Sequence, residues 1–305
     1  MSDKPRRRQW RRVDGILLVD KPSGPGSNAV LQHVRNLFRA AKAGHAGTLD
    51  PLASGLLPVC FGEATKFAQS LLDARKRYRA TIRFGARTTT GDAEGDIIAT
   101  AEVTFDADAL RTALRSFIGT IAQTPPAYSA LKRDGRPYYS YARAGDAVER
   151  VPREVHIQSF ELIDWAPPDA IVDVECSKGT YVRVLAEDIA VALSSAAHLA
   201  GLRRTASGPM TVDAAITVET LEALDDAARD AVLLPVDAAL SQMPAINVDA
   251  EIEAGLRHGR RPLCVADVGR HRIYGPSGFI GVADANGATL AAVRLMALAD
   301  ATVTR

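Results

Sequence analysis

The run Gly44-His45-Ala46-Gly47-Thr48-Leu49-Asp50-Pro51-Leu52-Ala53-Ser54-Gly55 constrains this chain more than any other stretch. One carboxylate, Asp50, is followed by Pro51 and fenced by glycines on both sides. Glycine permits backbone conformations that other residues avoid, and proline restricts its predecessor to extended geometry. A loop built this way can hold a single acid in one pose at a surface, as a nucleophile or general base requires. Leu-Asp-Pro is also an ordinary way to leave a turn, with the aspartate bonding its own backbone. On these residues alone both readings stand.

The chain has 305 residues, room for one large domain and a small one. Hydrophobic content of 47% and charged content of 24% are those of a soluble globular protein. No apolar run approaches a membrane span, and the basic N-terminus lacks the apolar stretch of a secretory signal. A cytoplasmic protein is the expectation. Cys60, Cys176 and Cys264 share no CxxC spacing and sit among apolar neighbours, which predicts buried thiols. The six histidines show no HExxH spacing, so no metal is expected, and without a GxxxxGK(S/T) run or a true dinucleotide fingerprint no other cofactor is expected. Net charge is only +1, but it is unevenly spread. Lys4, Arg6, Arg7, Arg8, Arg11 and Arg12 form a basic arm over residues 1–12, which can attract phosphates or merely solubilise the end. Acid gathers at Glu219, Glu222, Asp225, Asp226 and Asp230.

Gly15–Asp20 reads as a buried strand, and Ser27 as the cap of a helix carrying Val30, Leu31, Val34, Leu37 and Phe38 at helical spacing. Leu56–Phe61 reads as a strand and Glu63–Leu72 as a helix. In Tyr78–Phe84, Tyr78, Ala80, Ile82 and Phe84 share one strand face. A helix is expected over Asp106–Phe117, a short one over Tyr138–Ala144, strands over Val155–Trp165 and Ile171–Cys176, and a helix over Tyr181–Leu193. Further short strands are expected at Leu202–Thr205 and Met210–Val212, and helix over Val218–Leu240. The mixture has no regular βαβ rhythm, which favours α+β with a mixed, largely antiparallel sheet. From about Ile246, short apolar runs between glycines suit a small β-barrel over 246–305, after a main domain over 13–240.

Gly24-Pro25-Gly26-Ser27-Asn28-Ala29 fits a dinucleotide fingerprint only superficially, because Lys21-Pro22-Ser23 separates it from the strand. Asp92, Glu94 and Asp96 alternate as in a calcium loop, but Ile97 stands where glycine is required, so a polar hairpin is the better reading. Ser177-Lys178-Gly179-Thr180-Tyr181-Val182-Arg183 opens a helix with an aromatic ring and a guanidinium two residues apart. Arginine suits a planar grip on a carboxylate such as Asp50. In Arg77-Tyr78-Arg79, Tyr78 can stack on a base while the arginines reach phosphates, or it can simply be core. The densest basic-aromatic stretch spans Pro126 to about Pro152, with Tyr128, Lys132, Arg133, Arg136, Tyr138, Tyr139, Tyr141 and Arg143, and reads as a binding loop.

Taken in order, these pieces resemble the TruB family of tRNA pseudouridine synthases. The resemblance runs from about Asp14 to Met210 through Asp20-Lys21-Pro22, the Gly44–Gly55 run, Lys76-Arg77-Tyr78-Arg79, Pro126–Lys132, Lys178–Arg183 and Leu202-Arg203-Arg204. It implies a pseudouridine-synthase fold, a C-terminal PUA-like RNA-binding barrel, and isomerisation of uridine 55 in the tRNA T-loop without a cofactor. It makes Asp50 the nucleophile, Arg183 its ion-pair partner and Tyr78 the residue stacking on the target base. Tyr181 and Leu202 would line the uracil pocket, Lys21 and Pro22 would support it, and His45 would fill the space left by the flipped base. Arg77, Arg79, Asp92, Tyr128, Lys132 and Arg143 are the expected RNA contacts, the T-arm of tRNA the expected partner, and a monomer the expected state. Thr89 stands where the family has an acid, and Pro25-Gly26 replaces a stretch that usually contains Met or a hydroxyl residue. A protein that folds tRNA without catalysis would share the basic-aromatic loop and the barrel but would have no use for the fenced Asp50.

Overall fold

The computed structural model describes residues 10–298 other than 130, 134, 145, 147 and 148; the side chains at 132, 137, 139, 142 and 143 also lie outside the description. Strand β1 (Gly15–Lys21) is buried at almost every residue because its two faces pack into different cores, Ile16 and Leu18 into one and Leu17 and Val19 into another. Helix α1 (Ser27–Leu37) follows, with Val30, Leu31 and Val34 turned inward. Its cap is Gly26, not Ser27, whose hydroxyl is engaged elsewhere. Strands β2 (Ala43–His45) and β3 (Ser54–Phe61) flank the Asp50 loop and pair with each other.

The helix expected over Glu63–Leu72 divides into a 3-10 segment, Gly62–Lys66, and α2 (Ala68–Asp73). The break falls at Phe67, whose buried ring meets Phe279 edge-on with centroids 5.4 Å apart. Strand β4 (Lys76–Phe84) alternates as expected, with Ala80, Ile82 and Phe84 buried. A hairpin of β5 (Ala86–Thr88) and β6 (Ile97–Thr100) carries Thr89–Asp96 at its tip. Asp106 caps α3 (Ala107–Ser116), accepting from the Asp108 and Ala109 N–H groups. Strand β7 (Gly119–Gln123) leads into the loop that contains β8 (Lys132–Arg133), β9 (Arg136–Pro137) and α4 (Tyr138–Ala144).

Strands β10 (Arg153–Ala166) and β11 (Asp169–Cys176) precede α5 (Val182–Ala192) and β12 (Ala197–Ser207). The short strands β13 (Met210–Thr211) and β14 (Ile216–Thr217) complete a ten-stranded sheet, ordered β14-β1-β3-β12-β4-β11-β10-β7 with β13 and β2 attached at β12 and β3. Only the β1–β14 and β3–β12 pairings are parallel, so the sheet is mixed and largely antiparallel. The expected helix over Val218–Leu240 is α6 (Val218–Ala223), α7 (Asp226–Ala231) and a 3-10 segment, Val236–Leu240; Asp225 caps α7, and Pro235 precedes the 3-10 segment at its N-cap.

Beyond this, β15 (Ala245–Asn247), β16 (Gly269–Gly275), β17 (Gly278–Ala285) and β18 (Leu290–Leu295) form a second sheet. Helix α8 (Ala250–Arg257), capped by Asp249, interrupts what the glycine rhythm predicts as strands alone. The four strands do not close into a ring among the described residues. Leu256, Ile273, Ile280, Ala283 and Leu290 make a small core here, while Val282 and Phe279 pack into the core shared with Ile16, Leu56 and Phe67. Lys66 donates to the Leu295 carbonyl, and the Ala297 N–H donates to Glu63, sewing the two sheets together. No helix among the described residues is long and apolar enough to cross a membrane.

The basic arm and the acidic segment, read separately in the sequence, meet through Arg11, while Arg12 donates to Asp14. Arg11 forms a two-toothed contact with Asp230, and Arg39 meets Asp226. The Arg11 guanidinium is thereby engaged by a carboxylate; Lys4, Arg6, Arg7 and Arg8 lie outside the described residues.

Candidate active site

The Asp50 loop leads into β3 beside the end of β1, where Lys21 pairs with Gly55, and buried side chains from three elements tie its backbone. The Ser27 hydroxyl donates to the Leu49 carbonyl at 2.8 Å and accepts from the Leu49 N–H at 2.7 Å. Lys21, wholly buried, donates from Nζ to the carbonyls of Pro22, Pro51 and Ala53 at 2.9, 3.4 and 2.6 Å. Arg204, 1% exposed, donates from Nε to Leu56 O at 2.7 Å and from Nη2 to Gly47 O at 3.0 Å. Gly55 permits this closeness: its φ is +97°, and a Cβ there would stand 2.4 Å from the Arg204 carbonyl oxygen. Asp50 thus projects from a backbone anchored on both sides of it.

Arg183 comes from the first turn of α5. Its Nη2 lies 3.0 Å from Asp50 Oδ2, with 6% of the arginine side chain and 43% of the aspartate side chain exposed. Nη1 donates to Thr90 O at 2.8 Å and Nη2 to Tyr128 O at 2.9 Å. On its other side Nε faces Asp92 Oδ2 at 3.7 Å. The guanidinium is therefore gripped by the β5–β6 hairpin and by the start of the 126–152 loop while one edge meets Asp50.

Beside this pair opens a cavity of about 350 Å³, within the size range of small-molecule sites. Asp50, Tyr78, Tyr181, Arg183, Leu202 and Arg204 are in its wall. Burial pushes the phenols of Tyr78 and Tyr181 up, so both rings are neutral near pH 7. Lys76, on the Tyr78 face of β4, also lines it and donates to the carbonyls of Leu71, Leu72 and Ala74. Burial lowers the Lys21 and Lys76 ammonium groups to about 8 each. A larger groove, about 1100 Å³, lies between α2 and the second sheet and contains none of the expected catalytic groups.

The expected residues divide by place. Asp50, Tyr78, Arg183, Tyr181 and Leu202 converge on the cavity, while Lys21 and Pro22 sit behind the Asp50 loop. His45 lies on β2 outside the cavity lining; its Nδ1 is buried without a hydrogen-bond partner, and desolvation lowers its pKa. Asp92 is 4% exposed and faces Arg183, so it is placed to hold the arginine rather than to touch RNA directly. Arg77 and Arg79 do not share the Tyr78 face, since strand alternation turns them outward. There they pair with Glu175 and Asp173 on β11 at 2.9 and 2.8 Å. Tyr128 contributes a carbonyl to Arg183. The side chains of Lys132 and Arg143 lie outside the described residues.

Other site groups are not among the expected ones. Arg204 and Lys76 sit in quoted motifs, and period-two alternation turns both inward, while Arg203 pairs with Asp20. Gln123, Thr90 and Ser27 act through contacts with residues distant in sequence. Of the thiols, Cys60 and Cys176 are buried and burial pushes them up to about 12 and about 11; Cys264 is only half-buried. No cluster of His, Cys, Asp and Glu suited to a metal ion occurs among the described residues.

Residues 35–182 match the family model described as TruB family pseudouridylate synthase, N-terminal domain. Residues 183–241 match the model described as tRNA pseudouridylate synthase B C-terminal domain. The tRNA pseudouridine synthase B of Burkholderia mallei (strain ATCC 23344) is 53% identical over 302 residues, spanning 96% of this chain and 97% of that protein. The tRNA pseudouridine synthase B of Thiobacillus denitrificans is 51% identical over 291 residues, spanning 95% and 98%. Among solved structures, a chain of a Cbf5–Nop10–Gar1 complex superposes with a TM-score of 0.70 at 24% identity, covering 97% of this chain and 90% of that one. At that identity the likeness is one of fold.

Proposed function

This chain belongs to the TruB family of pseudouridylate synthases, enzymes that form pseudouridine, and from that premise we propose that it isomerises uridine 55 in the T-loop of tRNA with Asp50 as nucleophile. The observation that carries this is the 3.0 Å contact between Asp50 and a buried Arg183 at the wall of a cavity of about 350 Å³ that Tyr78, Tyr181 and Leu202 also line. The target base leaves its stack, at a cost of a few kcal/mol. Stacking on Tyr78, worth roughly 1–3 kcal/mol, offsets much of that. Tyr181 and Leu202 then enclose the ring, and Asp50 engages the nucleotide while Arg183 orients it.

The C1′–N1 bond breaks and its electron pair stays on the uracil. The Asp50 carboxylate bonds to C1′ in place of N1, the ring turns, C5 bonds to C1′ and displaces the carboxylate, and the C5 proton is lost while N1 gains one. A covalent carboxylate intermediate divides this into two easier steps and retains an activated partner in the site. Loop shape supplies specificity and cations supply sequence-tolerant affinity. The chain acts as a monomer in the cytoplasm, without an obligate protein partner.

The test is tritium release from an unmodified tRNA transcript labelled at uracil C5, with wild type beside Asp50→Asn. Stoichiometric release by wild type, and none by a variant that still binds tRNA, is expected. Release by Asp50→Asn at a rate near wild type would remove Asp50 from the chemistry. Tight binding with no release by wild type would favour a role in tRNA folding.

A further inference from the structure

Gln123 ends β7, is 2% exposed, and is not among the residues that the sequence motifs single out. Its amide oxygen accepts from the Tyr181 N–H at 2.8 Å, and its amide nitrogen donates to the Tyr181 carbonyl at 3.1 Å. Both polar groups of one backbone unit, 58 positions away, are thereby satisfied by one side chain. That unit leads into α5, and no side chain of its own caps the helix. The same Tyr181 carbonyl accepts from the Leu185 N–H in the first turn of α5. Arg183 follows two residues later.

We infer that Gln123 is a positioning residue for the reaction, holding the Tyr181 backbone so that the Tyr181 ring and the Arg183 guanidinium meet the substrate and Asp50 in one fixed arrangement. The inference rests on the reading of Asp50 and Arg183 as catalytic. Thr90 O and Tyr128 O hold the far end of Arg183, and Gln123 holds its root. The task needs one donor and one acceptor on a neutral group of this length. Methionine matches the length but offers neither strong group, and glutamate keeps the acceptor while setting a negative charge against a carbonyl. Gln123 also stands three residues before the expected RNA loop, so the root of that loop and the pocket wall share one anchor.

The test uses full-length Gln123→Met, Gln123→Glu, Arg183→Lys and the double variant Gln123→Met/Arg183→Lys. It measures single-turnover C5-tritium release and tRNA binding, with thermal melting to confirm folding. Gln123→Met is expected to slow release roughly 10- to 100-fold, the scale of a misplacement near 1 Å, with the tRNA Kd within about threefold of wild type. On the Arg183→Lys background the further loss should be under about threefold, because both changes act through one guanidinium. A rate within about twofold of wild type, or the same fold loss on both backgrounds, overturns the inference and leaves Gln123 a packing residue. If Gln123→Met does not fold, Gln123→Glu, which keeps the bond to the Tyr181 N–H, stands under the same criteria. Unchanged release by Asp50→Asn or Arg183→Met would instead bring down the site reading itself.

Discussion

Arg183 is almost wholly buried where it meets Asp50, whereas Asp50 keeps 43% of its side chain open to solvent. The asymmetry divides the work. A cation fixed by two carbonyls and a second carboxylate does not move with the substrate, while the acid it orients has a free side to present. A more exposed pair would be worth little and would hold no geometry, since solvent-exposed ion pairs contribute about 0–1 kcal/mol.

Removing the arginine should therefore cost stability as well as turnover. Arg183→Met leaves Asp92, 5% exposed at its side chain, buried without its cation. Breaking a buried pair on one side costs about 3–5 kcal/mol. Adding Asp92→Asn should return much of that stability while turnover stays low. Urea melts and tritium release on the single and double variants check this, and a double variant no more stable than Arg183→Met would contradict it.

Stability should rise with pH above about 8. Lys21 and Lys76 titrate near 8 in the fold, against an ordinary 10.5, because burial disfavours the ammonium. Below pH 8 both the folded and unfolded chains hold these protons, and the penalty for burying charge is present in full. Between 8 and 10.5 the unfolded chain holds more protons than the folded one, so unfolding becomes harder as pH rises. Each lysine contributes up to about 3 kcal/mol at about 1.4 kcal/mol per pH unit. Above pH 10 the buried phenols of Tyr78 and Tyr181 oppose the trend, because the unfolded chain ionises first. Urea midpoints from pH 7 to 10 should climb, and Lys21→Met should flatten the climb; equal slopes in both proteins would reject it for Lys21.

Two glycines on the strands that flank the Asp50 loop should answer alanine differently. At Gly55, φ of +97° and a Cβ 2.4 Å from a backbone oxygen predict a loss of several kcal/mol or failure to fold. Gly44 has open space where a Cβ would stand and no left-handed φ, so Gly44→Ala should change stability by about 0.5 kcal/mol or less. Thermal melts of both variants decide, and similar losses would show that the clash is relieved elsewhere.

The segment from Tyr128 to Pro152 should gain protection from proteases when tRNA binds. Many of its described bonds are internal, such as Tyr141 Oη to Arg133 O, while Tyr128 O ties it to Arg183. An RNA lying across it would add phosphate contacts to its arginines. Limited trypsin digestion followed by mass spectrometry would show it, and equal cleavage with and without tRNA would count against a clamp.

The sequence makes the elements and the acid legible for local reasons. Glycine and proline punctuate the Asp50 loop, alternation marks β4 with Ala80, Ile82 and Phe84 inward, and the helix expected over Asp106–Phe117 is α3. Misreadings arise where a distant partner overrides a local signal. Ser27 looks like a helix cap, but its hydroxyl serves Leu49, 22 residues away. Phe67 sits inside a helical pattern and breaks it by reaching Phe279. Asp92 looks like a solvent-facing turn residue until the fold brings Arg183, 91 positions later, against it.

What the sequence determines by itself is the presence of one fenced carboxylate, the aromatic and basic groups able to serve it, and the periods that make strands and helices. Those follow from backbone sterics and hydrophobic alternation, which act over a few residues. Tertiary structure alone decides which lysines lose their solvent, that Asp92 backs Arg183, and that Gln123 clasps Tyr181. Each depends on groups from different elements coming together, in an interior where an unpaired polar group is costly. That cost is set by the assembled fold and not by any single stretch of chain.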